Sequence, residues 1–262
     1  MYIFCDMSNP TLNMLVQRKY RDGVLMILLI KRKNVVLILL ILFLSVAIFS
    51  LDGRNDQLAL AATNQYKATI VLDAGHGGED PGAVSNYSGI AEKDINLRIA
   101  LLLKNLLEQE NYRIILTRQE DILNYQAGTK NITEKRRQDL TGRKKLIDGS
   151  NADIAVSIHL NKFEDPQYCG AQTFYPPGSP ESERLAKTIQ DSLKSLVNPS
   201  NTRVALVKKD RIVILKDLKV PTALVECGFL SNSQEEALLR DVDYQEKIAD
   251  AIKLGIDAYF AD

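Results

Sequence analysis

Residues 67–78 read KATIVLDAGHGG and determine how the rest of the chain is interpreted. The β-branched run at 67–72 is followed by a glycine cluster, and this pattern predicts a buried strand that ends in a turn. Apolar residues then recur at helical spacing from Glu92 to about Glu110. Residues 113–117 (RIILT) follow as a second short strand. A strand, a helix and a second strand in this order indicate a parallel α/β unit.

The same alternation continues to the end of the chain. Further strands are predicted at 153–159, 170–175, 211–215 and 222–226, and further helices at 134–148, 180–196, 234–240 and 244–260. The sequence therefore predicts a single α/β domain over 67–262, with a mixed, mostly parallel sheet of about six strands and helices on both faces. In sheets of this kind ligands bind at the carboxyl ends of the strands.

An uncharged apolar run at 35–51 precedes this domain. Lys31, Arg32 and Lys33 stand directly before it, as in segments whose basic flank stays in the cytoplasm while the rest is exported. The length of the run is intermediate between a signal-peptide core and a spanning helix, so both cleavage near 59–61 and a retained anchor stay open. We expect the chain to act outside the cytoplasmic membrane. We divide it into a basic cytoplasmic segment (1–33, with Met26 as an alternative start), a signal-peptide core or anchor (34–51), a linker (52–66) and the α/β domain (67–262).

Charge and cysteine content exclude several classes of protein. Lys and Arg number 33 and so do Asp and Glu, so no excess of cations is present to neutralise phosphates, and nucleic acid is a poor candidate partner. An apolar fraction of 45% excludes a disordered chain. Cys169 and Cys227 are too few for a disulfide scaffold, and we expect both to be small buried residues, with a single bridge as the alternative.

The residues that suggest chemistry lie at the predicted strand ends. The chain has only two histidines, His76 and His159, and each closes a predicted strand. Glu92 begins the first helix, and Glu226 ends the apolar run 222–225, where a buried carboxylate is costly unless it faces a cleft or a cation. Each residue alone has a structural explanation, such as a favourable charge at a helix N-terminus for Glu92. Their matched placement at one edge of the sheet favours a common site.

Two neutral imidazoles and one carboxylate are the ligand set typical of a catalytic zinc ion, which leaves a fourth position for water. Such a metal polarises a carbonyl and lowers the pKa of its water to about 7. A second glutamate that does not bind the metal can act as general base and then as acid toward the departing amine. The sequence contains no GxSxG, HExxH or P-loop motif that would indicate another chemistry. We therefore predict metal-dependent hydrolysis of an amide.

Four motifs in order extend this prediction: DAGHGGEDPGA (73–83), AEKDINL (91–97), AVSIHLN (155–161) and LVECGFLSN (224–232). Together they resemble the zinc-dependent N-acetylmuramoyl-L-alanine amidases of the amidase-3 family, over residues from about Ala68 to Tyr259. The resemblance implies that His76, Glu92 and His159 bind one zinc ion and that Glu226 is the catalytic residue. Segments such as GAQTFY (170–175) are similar to the germination-specific type of endospore formers.

The resemblance also implies a substrate, the amide between the lactyl group of N-acetylmuramic acid and L-alanine in peptidoglycan stem peptides. In spore cortex its hydrolysis is a step toward the muramic-δ-lactam needed for germination. Peptidoglycan is the expected partner, an exported activating protein is a further possibility, and an uncleaved N-terminal segment would contact the membrane. The oligomeric state stays open.

Asn161 and Arg118 are candidates for positioning the substrate, with a structural role as the alternative for each. Two other functions stay open for the whole chain. One is a catalytically silent regulator that binds peptidoglycan, which the presence of all four site residues disfavours. The other is a peptidase that cuts within the stem peptide.

Overall fold

The computed structural model describes residues 14–21, 24–31, 39–45, 66–208, 213–215 and 218–261. The chain divides into two compact units, Met1–Gln65 and Tyr66–Asp262. In the first unit, β1 (Met14–Arg21) pairs antiparallel with β2 (Val24–Lys31), a hairpin that the sequence did not predict, and α1 spans 39–45. Among the described helices, none has both the length and the apolar character needed to cross a bilayer. The segment 34–51 is described only at 39–45 and the linker only at Tyr66, so the divisions drawn there stay predictions.

The second unit is built on one sheet of six strands. The strands are β3 (Thr69–Ala74), β4 (Arg113–Leu116), β5 (Ile154–Asn161), β6 (Gln172–Tyr175), β7 (Leu206–Val207) and β8 (Thr222–Phe229). Their order is β4-β3-β5-β8-β6-β7, and all neighbours are parallel except β6 and β8. The predicted mixed, mostly parallel sheet is confirmed.

Five helices accompany this sheet: α2 (Glu92–Gln109), α3 (Ile132–Gly149), α4 (Pro180–Leu196), α5 (Ser233–Arg240) and α6 (Val242–Ala261). Three of them begin after a residue whose side chain accepts hydrogen bonds from the first turn, namely Asn131, Ser179 and Asn232. Such caps satisfy N–H groups that have no partner within the helix. They explain why these helices begin within two residues of the predicted positions.

Two local predictions are wrong. Residues 211–215 were predicted as a strand. Positions 211 and 212 lie outside the described residues, Val213–Leu215 is a short 3-10 helix, and the strand that brings the sheet to six is β7. A short apolar run fits either conformation, and here burial of Ile214 and Leu215 against the α3 side of the sheet decides. Both cysteines of this domain were expected to be buried, yet only Cys227 is; Cys169 is exposed, and both are free thiols.

The alternation of side chains along each strand divides the core into two layers. One layer joins the sheet to α2, α4 and α6, and includes Ile70, Leu72, Val156, Ile158, Ile99, Ile189 and Ile252. The other joins it to α3 and the 3-10 helix, and includes Val71, Ala155, Leu224, Ile147 and Ile214. Asp73, His159 and Glu226 lie an even number of residues after Val71, Ala155 and Leu224, the strand residues of the second layer. Their side chains therefore lie on the α3 side of the sheet, so α3 borders the site.

Gly255 on α6 marks a close crossing with α4. A Cβ at this position would lie 2.5 Å from the Cα and 2.8 Å from the backbone nitrogen of Ile189. Gly255→Ala should lower the free energy of unfolding by about 1–3 kcal/mol, because the two helices must move apart. Urea denaturation measures the change. In the control Gly142→Ala, the new methyl group on α3 meets open space and should instead stabilise by about 0.5–1 kcal/mol. Equal free energies of unfolding for Gly255→Ala and wild type would contradict the close contact between α6 and α4.

Candidate metal centre

The four predicted residues meet at the carboxyl edge of three adjacent parallel strands. His76 follows β3, His159 lies near the end of β5, and Glu226 lies in β8. His159 and Glu226 are register partners on neighbouring strands, so their side chains emerge side by side. Glu92 is the first residue of α2 and lies where the loop that follows β3 ends.

Three of these side chains have the spacing of a metal site. Ligand atoms of His76, Glu92 and His159 all lie within 4.8 Å of one another. Glu92 Oε1 is 3.3 Å from His76 Nε2 and 2.9 Å from His159 Nδ1. Ligands of a tetrahedral zinc ion, with bonds of about 2.0–2.1 Å, lie about 3.3 Å apart. The donor set of two imidazole nitrogens and one carboxylate oxygen therefore fits a zinc ion in both chemistry and spacing.

The main chain of His76 adopts a left-handed conformation with φ 63°, which is uncommon outside glycine and directs the imidazole into the site. Its Nδ1 lies 2.8 Å from Asp80 Oδ2, and Asp80 Oδ1 accepts from Arg136 at 2.7 Å. An Nδ1–H that donates to a carboxylate leaves Nε2 for a metal. Burial by itself would lower the pKa of His76, but hydrogen bonds and negative charge from Asp80 and Glu92 raise it to about 9. The surroundings thus favour a cation here.

Glu92 is buried and almost fully bonded. Its oxygens accept hydrogen bonds from three further groups: Ala83 N (2.8 Å), Leu160 N (3.0 Å) and Asn96 Nδ2 (3.2 Å). Burial by itself would raise the pKa of Glu92, but hydrogen bonds and charge interactions with His159 and His76 hold it well below its usual range. Glu92 is therefore an ionised carboxylate held in one orientation, and it also provides the negative charge at the α2 N-terminus.

Two glycines allow the backbone to approach the ligands. A Cβ at Gly75 would overlap the ring of His159. A Cβ at Gly82, which has φ 68°, would lie 2.6 Å from His76 Cδ2 and would also collide with the Glu92 carboxylate. The glycine cluster is thus required by the packing of the ligand side chains, in addition to the turn that the sequence suggested.

Gly75→Ala should therefore displace the His159 ring and weaken zinc binding by at least about 10-fold, since smaller disturbances of supporting contacts already have effects of this size. Competition with a chromophoric chelator measures the affinity. Gly142→Ala, which meets open space on α3, serves as the control and should bind zinc like wild type. If Gly75→Ala binds zinc as tightly as wild type, the close contact between the Gly75 backbone and the His159 ring is not required for metal binding.

Glu226 differs from Glu92 in its environment. It is partly exposed, yet its Oε2 is buried and has no hydrogen-bond partner within the described part of the chain. Burial raises the pKa of Glu226, and the negative charge of Glu92 adds to this while His159 opposes it. A carboxylate with an unpaired oxygen and a raised pKa is suited to exchange a proton.

The two residues predicted to position the substrate have different environments. Asn161 is partly exposed at the end of β5, and its Oδ1 accepts from the backbone N–H of Lys162. Arg118 is buried, and its guanidinium donates to four backbone carbonyls: those of Ala74, Gly75, Lys93 and Glu120. Sequence reasoning missed Asp80, Arg136 and Arg143 as contacts of the His76 loop. Only Asp80 had a sequence signal, because it stands in the same motif as His76.

The sheet brings two imidazoles and a carboxylate together at its carboxyl edge, beside a glutamate whose Oε2 has no hydrogen-bond partner among the described residues. This arrangement fits the site of a metal-dependent hydrolase. Comparison with protein families specifies the class further, since the profile of the amidase-3 family, described as N-acetylmuramoyl-L-alanine amidase, matches residues 70–258. The chain belongs to this family and is an N-acetylmuramoyl-L-alanine amidase, EC 3.5.1.28. Its substrate is peptidoglycan, and membership of a family of cell-wall amidases implies extracytoplasmic action.

Known relatives agree with this assignment. The germination-specific N-acetylmuramoyl-L-alanine amidase of Bacillus subtilis (strain 168) is 39% identical over 193 residues, which cover 74% of this chain and 80% of the relative. The solved CwlD amidase of Clostridioides difficile, in complex with the GerS lipoprotein, has a TM-score of 0.72 and 48% identity, covering 74% of this chain and 98% of that one. An N-acetylmuramoyl-L-alanine amidase of Clostridium difficile 630 has a TM-score of 0.65 and 32% identity, covering 76% and 98%.

Proposed function

We propose that this chain is a zinc-dependent amidase of the spore cortex, which removes stem peptides from N-acetylmuramic acid as a step toward the muramic-δ-lactam needed for germination. Its similarity to a germination-specific amidase supports the cortex role. The observation that carries the chemistry is the register pairing of His159 with Glu226, which brings a partly exposed carboxyl group beside the candidate metal ligands.

In this proposal His76, Glu92 and His159 hold the zinc ion, because their atoms have the required spacing and donor chemistry. When bound there, zinc supplies a Lewis acid that polarises the lactyl carbonyl and makes a water molecule more acidic. Asp80 keeps a proton on His76 Nδ1, so that Nε2 faces the ligand group.

Glu226 carries the proton transfers. Its carboxylate accepts a proton from the attacking water as the new C–O bond forms at the lactyl carbonyl carbon. The same carboxyl group then donates that proton to the alanine nitrogen as the C–N bond breaks. The raised pKa of Glu226 suits this double use, because the group must hold the proton between the two steps.

Asn161 and Arg118 have different roles in this proposal. Asn161 stands two residues beyond His159 and is partly exposed, so it can contact the substrate. Arg118 is buried, with its nitrogens donating to backbone carbonyls, so it supports the loop after β3. In this proposal Asn161 therefore contacts the substrate, whereas Arg118 has the structural role.

The proposal also covers export and partners. The apolar segment 34–51 would direct export, either as a cleaved signal or as a retained anchor. The similar Clostridioides difficile amidase is in complex with a lipoprotein, which supports an exported activating protein for this chain as well.

Digestion of purified peptidoglycan tests the proposal. The full chain is incubated with cortex and with vegetative peptidoglycan, with and without added zinc, and new amino termini are labelled and identified. We expect L-alanine termini from cortex, released only with zinc. Internal stem-peptide termini would indicate the peptidase alternative. Equal release after zinc removal would contradict the zinc proposal, and equal release from vegetative wall would contradict the cortex role. If the chain alone is inactive, spore membrane extract supplies a partner, and inactivity in its presence contradicts the whole proposal.

A further inference from the structure

Three consecutive backbone carbonyls beneath the metal centre point at two buried guanidinium groups. Arg118 donates to the carbonyls of Ala74 (2.9 Å) and Gly75 (3.1 Å). Arg143, which lies on α3, donates to the carbonyls of Ala74 (2.6 Å) and His76 (2.7 Å). Both arginine side chains are buried, with 2% and 4% of the residue exposed, so water does not replace these contacts. The backbone that presents His76 is thus bonded to side chains from two other elements.

Arg143 has an unusually complete set of partners. Besides the two carbonyls, its Nη1 donates to Asp73 Oδ1 at 3.0 Å and its Nε donates to Asp139 Oδ2 at 2.6 Å. A planar guanidinium can satisfy acceptors in several directions at once. Burial by itself would lower the pKa of Arg143, but Asp73 and Asp139 raise it, so the group stays charged.

The two aspartates are themselves held in place. Asp73 accepts from Thr117 Oγ1 at 2.7 Å and from Ser157 Oγ at 2.6 Å, side chains that come from the end of β4 and from β5. Asp139 Oδ1 accepts from the backbone N–H of Asn124 at 2.9 Å. The orientation of Arg143 is therefore determined by the sheet and by α3, and the proposed reaction uses none of these groups.

The left-handed conformation of His76 needs such support. A non-glycine residue at φ 63° is strained, and strain of this kind persists only where surrounding contacts determine the backbone. The bond from Arg143 Nη2 to the His76 carbonyl fixes the peptide plane after His76, and the bond from Arg118 to Gly75 fixes the plane before it. We propose that Arg143 is a positioning residue of the metal centre: it holds the His76 backbone so that Nε2 meets Glu92 and His159, and it thereby sets the affinity for zinc. The inference rests on the proposed function for the identity of the metal.

Arg143→Lys tests this role, because lysine keeps the charge but offers a single nitrogen that cannot reach both carbonyls and both aspartates. We expect the full chain to bind zinc about 10–100-fold more weakly, the usual result of losing a contact that supports a ligand. Chelator competition on the metal-free protein measures the affinity. The visible absorption of bound cobalt(II) should also change, because it reports ligand geometry. Circular dichroism of the metal-free form should match wild type.

Arg137→Lys is the matched control on the same helix, since the Arg137 side chain is 67% exposed and its ion pair is with Glu134. It should bind zinc and cobalt like wild type. A folded Arg143→Lys variant with wild-type affinity and cobalt spectrum would overturn the inference. Absence of zinc binding by wild type would instead reject the proposed function. If Arg143→Lys does not fold, Asp139→Asn decides, because it removes the charge that pairs with Nε while its amide oxygen can still accept from the Asn124 N–H. A smaller loss of affinity supports the inference and wild-type affinity overturns it.

Discussion

Glu226→Gln should lower kcat by about 10²–10⁴-fold while zinc binding stays intact. The size follows from the usual contribution of a general acid or base, and in the proposed mechanism one carboxyl group performs both transfers. Glutamine has nearly the same shape but cannot accept the proton from water. Release of L-alanine termini from peptidoglycan measures kcat, and metal analysis of the same sample measures zinc content.

The fold should tolerate this substitution well. Glu226 Oε2 is buried without a partner among the described residues, and burial raises the pKa of the group, so an ionised carboxylate is unfavourable there. We therefore expect the metal-free variant to have a free energy of unfolding equal to or above that of wild type. Glu246→Gln, at an exposed position of α6, is the control and should leave activity unchanged. A Glu226→Gln enzyme that keeps wild-type kcat would contradict the assignment of Glu226.

His159→Ala should remove the metal and with it the activity. His159 supplies one of the three converging ligand atoms, and losing a ligand should weaken zinc binding by more than the 10–100-fold that loss of a supporting contact causes, hence by more than about 100-fold. The residual rate should then equal that of wild type from which zinc has been removed. Equilibrium dialysis gives the zinc content, and peptidoglycan digestion gives the rate.

Metal-free wild type is the control for this variant. Addition of zinc should restore the rate of wild type only. If His159→Ala retains one zinc ion at wild-type affinity, the ligand set is wrong, whereas zinc binding without hydrolysis would leave the ligand set intact and place the defect in the reaction itself.

Much of the fold follows from local pattern. The β-branched runs and the helical spacing after Glu92 predicted most elements near their observed ends, because each signal depends on residues close in sequence. The strand prediction at 211–215 failed because it, too, depended only on residues close in sequence. The apolar residues there fit a strand or a buried turn equally well, and only packing against the α3 side of the sheet selects the 3-10 helix.

The candidate site could be predicted in part. Two histidines at strand ends imply a common edge, because parallel strands present their carboxyl ends together. No sequence signal identified Arg143, whose contacts join Asp73, Ala74 and His76 to a helix about 70 residues later. Contacts of this kind depend on where α3 packs, and spacing along the chain carries no information about that. For the same lack of information, the sequence left Arg118 open between a substrate contact and a structural role.

The sequence by itself indicated the chemistry, since the identities of His76, Glu92, His159 and Glu226 and their places relative to the predicted strands and helix are properties of the chain. Only the tertiary structure decided the geometry. The register of β5 against β8 puts His159 beside Glu226, and two buried arginines hold the strained His76 backbone. The physical reason is that residue types specify which bonds are possible, whereas distance, burial and charge balance arise only when segments far apart in sequence pack together.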